Sequence, residues 1–244
     1  GLADEIAWRS EPPDRVVGLV IGTEWLDNVP LEVAAYGPTG WRRVLVDPET
    51  GTESLGGPVT AAEAEWLARW WPPPPEVPAE SVPVGLAPRA EIGLTRDTAW
   101  AAAVASLARG LAVAVDYGHL RDARPHGGTL TGYRAGRQVP PKLDGSTDVT
   151  AHVAMDAVAA AGSVRAGLPY ALVSQRTALR ALGTDGSRPP LALATTDPVG
   201  YVRALARAST AAELTDPAGL GAHWWLCQPV NMEVRKGPLL SLFV

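Results

Sequence analysis

The chain has 244 residues, 46% of them hydrophobic, with a formal net charge of -5 and an isoelectric point near 5.4. That is enough apolar material for one large domain or two small ones, and it excludes the basic surface that nucleic acid or an anionic membrane would require. Cys227 is the single cysteine, which excludes an internal disulfide and a cysteine-built metal site, and no apolar run reaches the roughly 20 residues of a bilayer span. Residues 1–13 are too polar and acidic for a secretory signal. A cytoplasmic location fits, and abundant alanine, arginine and proline with little lysine point to a GC-rich bacterial genome.

In chain order, Val16–Ile21 is a continuous run of branched residues, the pattern of a strand buried on both faces of a sheet. It leads into a loop from Gly22 to Pro30. Leu31–Tyr36 and Trp41–Asp47 read as a hairpin around a four-residue turn, Gly37–Gly40. Thr60 with Glu63 has capping-box spacing and opens a helix to about Trp71. Residues 72–88 carry seven prolines and predict an extended excursion inserted in one domain. The pattern resumes at Arg89–Ile92, Thr95 caps a second helix to about Arg109, and Leu111–Val115 is another buried strand. Strand, helix and strand at that spacing imply a parallel crossover.

A loop-rich insertion, 117–147, follows, and insertions of that length are usually functional or disordered. Val149, Ala151 and Val153 alternate with Thr150 and His152, so a short strand turns the last two toward one side. A helix to about Ala161, a strand at Tyr170–Val173, helices at Gln175–Leu182 and Val199–Ala208, and a last strand at His223–Gln228 complete the expected elements. Residues 1–230 form one expected domain, and 231–244 match no periodic template.

Four segments place acids, glycine and aromatic residues where apolar runs end, the position at which an open α/β sheet forms its ligand crevice. They are Glu24-Trp-Leu-Asp-Asn-Val-Pro30, Asp116-Tyr-Gly-His119, Gly128-Thr-Leu-Thr-Gly-Tyr133 and Asp148-Val-Thr-Ala-His-Val153. Their order and spacing resemble the MidA family of class I S-adenosylmethionine-dependent methyltransferases, which includes a mitochondrial complex I assembly factor that methylates arginine on a complex I subunit. The resemblance runs from about Val16 to Val153 and more weakly to Val230. It implies a Rossmann-like α/β sheet with an inserted hairpin and long cleft-covering loops. It also implies S-adenosylmethionine as cofactor and a protein substrate, with a respiratory complex I subunit as the candidate partner.

Residue by residue, Glu24 and Asp27 match the two acids of the family's Asn-Glu-Phe-Phe-Asp-Ala-Leu-Pro segment, with Thr23 in place of the asparagine. They are the candidate substrate-orienting carboxylates, since a carboxylate fork can hold a guanidinium while one nitrogen meets the methyl group. Asp116 and His152 join them as catalytic candidates, and Glu24 and Asp116 are also candidate cofactor contacts. Tyr117, Gly118, His119, Tyr133 and Thr150 are the candidate substrate-binding residues. Gly118 is expected to supply a turn open only to glycine, and Tyr133 to wall the cleft. After Val153 the chain has Ala154-Met155 where the family has Asp-Phe, a lost helix cap worth about 1 kcal/mol.

The family's strand, glycine-rich loop and helix for the cofactor do not occur in the sequence, and Gly1 is not an initiator methionine. The chain therefore reads as lacking the family's N-terminal third, or else as a noncatalytic, partner-binding relative. A rival reading gathers Asp116, His119, His126, Asp148 and His152 into a zinc, manganese or iron centre of a hydrolase.

Overall fold

The computed structural model describes residues 6–73, 84–184 and 186–232. Strand β1 (Val16–Thr23) is followed by a meander, β2 (Glu32–Gly37), β3 (Gly40–Val46) and β4 (Glu53–Pro58). Gly37 pairs with Gly40, so the hairpin connection is only Pro38-Thr39 and not the expected four-residue turn. The glycines extend the ladder because Gly40 takes a φ of +96° that few other residues would accept.

Helix α1 (Ala61–Trp70) starts as expected. The Thr60 hydroxyl accepts from the Glu63 amide, the Glu63 carboxylate accepts from the Thr60 amide at 2.6 Å, and Arg43 pairs with that carboxylate at 2.6 Å. Of the proline-rich excursion, residues 74–83 lie outside the described residues, and Val84–Leu86 forms one 3-10 turn.

Strand β5 (Arg89–Ile92) pairs antiparallel with β2 and completes a four-stranded sheet in the order β4-β3-β2-β5. It is therefore not the parallel neighbour that the strand-helix-strand pattern implied. Helix α2 (Leu94–Ala105) is capped by Gly93, while the Thr95 hydroxyl donates instead to the Pro30 carbonyl. Strand β6 (Leu107–Asp116) claims Arg109 from the expected helix because Leu107 is buried in the core and pairs with Val16. The parallel partner of β6 is β1, in register from Val17–Arg109 to Thr23–Val115.

Short strands β7 (Gly118–His119), β8 (Thr131–Arg134), β9 (Arg137–Val139), β10 (Asp148–Thr150) and β11 (Val153–Ala154) give the 117–147 insertion order; β8 lies between β10 and β9 in a small antiparallel sheet. Helix α3 (Met155–Ala166) has Ala154 at its N-cap with no side-chain cap bond, and Asp156 in its first turn accepts from the amides of Ala157 and of Arg121 in the 117–147 insertion. Strand β12 (Ala171–Ser174), α4 (Gln175–Ala181), α5 (Leu191–Thr196), α6 (Pro198–Leu214) and β13 (Trp224–Val230) complete the described chain. Helix α5 was not expected, and α6 runs six residues past its expected end at Ala208. Beyond Met232 the tail lies outside the described residues.

The main sheet has the order β1-β6-β13-β12, with β13 antiparallel to both neighbours. One face is packed by α2 and α3 through Trp100, Val104, Met155, Val158 and Leu226. Part of the other face is covered around Val113, Val115, Ala171 and Cys227. Strand β1 departs from the expectation of burial on both faces: Val16 and Val20 pack on the core, while Val17, Leu19 and Ile21 are 65%, 54% and 58% exposed. The second sheet and α1 meet the start of α3 through Trp66, Leu67, Ile92, Ala154 and Ala157.

Candidate functional site

The carboxyl ends of β1 and β6 lie side by side, so their following loops converge with β10, β11 and the start of β13. Asp116, 1% exposed, is the buried anchor. One carboxylate oxygen accepts from the amides of Leu26 and Asp27 at 3.0 and 3.3 Å, and the other from Tyr117 at 3.0 Å. Burial, helped by the nearby Asp27 charge, pushes its pKa up to about 7, against the pull of the amide bonds. Its oxygens thus brace the β1 loop.

Asp27 is almost as enclosed. It accepts from the Asn28 amide group at 2.8 Å and from the Thr150 hydroxyl at 3.0 Å, and the Tyr117 hydroxyl donates to it as well. Thr150 and His152 both meet Tyr117, as the alternation predicted, although the strand breaks between them. The His152 ring packs edge-on against Tyr117 at 5.3 Å, and burial lowers its pKa.

Glu24 differs in kind. It is exposed, its φ is +45°, and its amide donates to the Val115 carbonyl at 2.8 Å. A left-handed non-glycine residue costs roughly 1–3 kcal/mol and persists only where its surroundings impose it.

Three groups that carry this arrangement were not singled out from the sequence. Arg96, 2% exposed on α2, donates to the carbonyls of Asp27 at 2.7 Å, Val29 at 3.2 Å, Ala151 at 3.2 Å and His152 at 2.9 Å. It clamps two of the four motifs together, and burial lowers its pKa while Glu91, Asp116 and Asp27 oppose that shift. Glu91 on β5 accepts from the amide and hydroxyl of Thr129 and from the Leu130 amide at 2.7 Å. His223 places its Nε2 3.5 Å from a Glu24 carboxylate oxygen and its ring 5.6 Å from Tyr117. The one sequence signal for His223 is its position at the start of the last apolar strand.

Several expectations change. Gly118 does not take a positive φ; a β-carbon there would sit 2.3 Å from the Val153 carbonyl oxygen, so glycine permits the close β7–β11 pairing. The Gly128 segment is stapled down beside the cleft: Gly128 has φ +73°, Glu91 holds Thr129, and the Thr129 hydroxyl accepts from the His152 amide at 2.8 Å. Tyr133 stands exposed on β8 opposite Asp148, with no bond to the cluster among the described contacts. His119 is buried. Arg124 donates to its Nδ1 at 2.6 Å, Trp71 packs edge-on at 5.0 Å, and burial with the Arg124 charge lowers its pKa to about 3. The five residues of the metal reading are not gathered, and among the described residues no group of three or more His, Cys, Asp or Glu side chains has metal-binding geometry.

Beside the cluster, a groove of about 410 Å³ runs from Asp27 past Pro30, Glu32, Val44, Leu130 and Val149. On the other side, the Trp25 ring lies over Gly22, where a β-carbon would sit 3.0 Å from it, leaving an aromatic face 40% exposed beside Glu24.

A partly parallel α/β sheet with an antiparallel strand, and with its polar cluster at the carboxyl ends of the parallel pair, defines the class as a Rossmann-like, ligand-handling domain. The profile of a family described as "Putative S-adenosyl-L-methionine-dependent methyltransferase" matches residues 1–172, and the chain belongs to that family. It is similar to a COG1565 superfamily member from Burkholderia thailandensis bound to S-adenosyl-homocysteine, with 26% identity and a TM-score of 0.71 over 95% of this chain and 58% of that one. A native structure of a COG1565 superfamily protein from the same organism gives 26% identity and a TM-score of 0.74 over 99% of this chain and 62% of that one. The chain thus spans about three fifths of the length of each structure. No curated protein matches it.

Proposed function

We propose that this chain forms the acceptor side of an S-adenosylmethionine-dependent methyl transfer to a protein side chain, an arginine nitrogen, and that a respiratory complex I subunit in the bacterial cytoplasm is the candidate target. The family and the S-adenosyl-homocysteine held by a similar structure support the cofactor; the motif resemblance supports the arginine and the target. Bound S-adenosylmethionine supplies a methyl group already activated on a sulfonium. The exposed aromatic ring of Trp25 suits the sulfonium cation of that cofactor.

The observation that carries the reading is the contrast between the two acids of the β1 loop. Asp27 is engaged by Asn28, Thr150 and Tyr117, whereas the Glu24 side chain projects into solvent with one contact among the described residues, His223. Asp27 therefore positions Tyr117, and Glu24 is the carboxylate left to meet a cationic acceptor. The groove beside Asp27, apolar with Glu32 at its edge, suits the chain that flanks that acceptor.

The bare face of β1 favours a second reading, a partner-binding relative without catalysis, because three large apolar side chains in a row there await a cover. Calorimetric titration of the 244-residue chain with S-adenosyl-homocysteine separates the two. Saturable one-site binding supports the enzyme, and a folded chain that does not bind is either an incomplete enzyme or the partner-binding scaffold. If it binds, Glu24→Gln should reduce methyl transfer far more than S-adenosyl-homocysteine affinity; unchanged transfer would remove Glu24 from the acceptor site.

A further inference from the structure

We propose that His223, held by Glu24, accepts the proton released when the acceptor nitrogen is methylated. The proposal rests on the arginine reading above and assigns a role to a residue outside the four motifs. His223 comes from the far end of the chain yet is firmly delivered. Its carbonyl accepts from the Gln175 amide at 2.7 Å, its own amide donates to Leu220 at 3.1 Å, and the next residue, Trp224, fixes the strand start by donating from its indole to the Gly118 carbonyl at 3.2 Å. These bonds aim the imidazole at the one strained residue of the β1 loop, Glu24.

The groups facing His223 are Glu24 from the β1 loop, Tyr117 from the end of β6, and His152 from beyond β10. The Glu24 carboxylate lies 3.5 Å from the ring nitrogen, and Tyr117 meets the His223 and His152 rings edge-to-face, at 5.6 and 5.3 Å between centroids. His152 is the poorer acceptor: burial disfavours its charged form, and although Glu91 pulls the other way, the Arg96 charge adds to the opposition. His223 is largely enclosed at 14% side-chain exposure while Glu24 is 58% exposed, so the pair runs from the interior of the site to water.

The step balances without another reagent. The nitrogen lone pair forms the N–C bond, the C–S bond breaks with its electron pair left on sulfur, and the nitrogen gives one proton to the neutral imidazole. Glu24 holds the resulting imidazolium until the proton passes to solvent.

The test uses the full 244-residue chain, S-adenosylmethionine and a glycine-rich peptide with one arginine. His223→Gln should lower kcat about 100-fold with KM little changed, the size expected for loss of a general base, abolish the acid limb of the pH–rate profile, and be partly rescued by added imidazole. Independently of turnover, the ring NMR resonances of His223 should move in Glu24→Gln while those of His126, beside Arg89, stay fixed. Unmoved His223 resonances, or a His223→Gln enzyme with the wild-type pH profile, overturn the proposal. A wild-type chain that binds S-adenosyl-homocysteine and yet methylates no arginine sinks the substrate reading instead, while the resonances decide the pair whether or not the chain turns over.

Discussion

Two sets of polar side chains meet at Tyr117 and are built in opposite ways. On the inner side, Arg96 and Asp116 are buried and give nearly all their hydrogen-bonding capacity to backbone groups of three loops. On the outer side, Glu24 and His223 share one 3.5 Å contact, and Glu24 holds a strained backbone. The inner set fixes where loops lie, so its removal should be read in stability; the outer set faces outward, so its removal should be read in function. A frame that carries the stability allows the rim to keep an unsatisfied, reactive geometry.

The largest break in that contrast should come from Arg96→Met. It strands the carbonyls of Asp27, Val29, Ala151 and His152 in a buried region, and a buried charged hydrogen-bond hub of this type should cost about 3 kcal/mol or more. Urea unfolding measures it, and a loss below about 1 kcal/mol would show that water already serves those carbonyls. Asp116→Asn comes next. An amide offers one accepting oxygen where the carboxylate uses two, and its NH2 would confront backbone N–H donors, so about 2 kcal/mol should be lost. Stability equal to wild type would mean that the loop amides find other acceptors.

His119 sharpens the comparison by pH. Its folded pKa of about 3 lies below the roughly 6.5 of an unfolded histidine, so the unfolded chain takes up the proton first. Its contribution is present above pH 6.5 and lost as pH falls toward 3, by up to about 1.4 kcal/mol per unit. Asp116 and Asp97, raised to about 7 and about 6, act in the opposite direction, because the folded chain keeps protons that the unfolded chain has released. The reading is therefore a difference: between pH 7 and pH 5, His119→Gln should lose less stability, or gain more, than wild type. Equal slopes would place a charged imidazole in the folded chain.

Much of the frame was legible because its signals are local. The apolar runs of β1 and β6 mark strands by composition, and Thr60 with Glu63 marks a helix start by two groups three residues apart. The four motifs were legible as loops, and Asp27, Asp116, Tyr117, Thr150 and His152 do converge. What was not legible is non-local. Arg89–Ile92 gives no sign that it pairs with β2 and not beside β6. Arg96 looks like any cation on a helix, because its partners are backbone carbonyls, which carry no sequence identity. His223 reaches Glu24 only through the pairing of β13 with β6, a contact between residues about two hundred positions apart for which neither segment alone gives a cue.

The smallest expected effect is the most discriminating, because Tyr117 belongs to both sets. Its hydroxyl donates to Asp27 in the frame, while its ring packs against both His152 and His223 at the rim. Tyr117→Phe removes the first role and keeps the second. Asp27 would retain the bonds from Thr150 and Asn28, so the loss should be about 1 kcal/mol, that of one hydrogen bond. If frame and rim are separable, peptide methylation should fall much less in Tyr117→Phe than in Glu24→Gln. An equal fall in both would mean that the Asp27 bond sets the ring against which His223 is aimed, and that the frame reaches the acceptor through Tyr117.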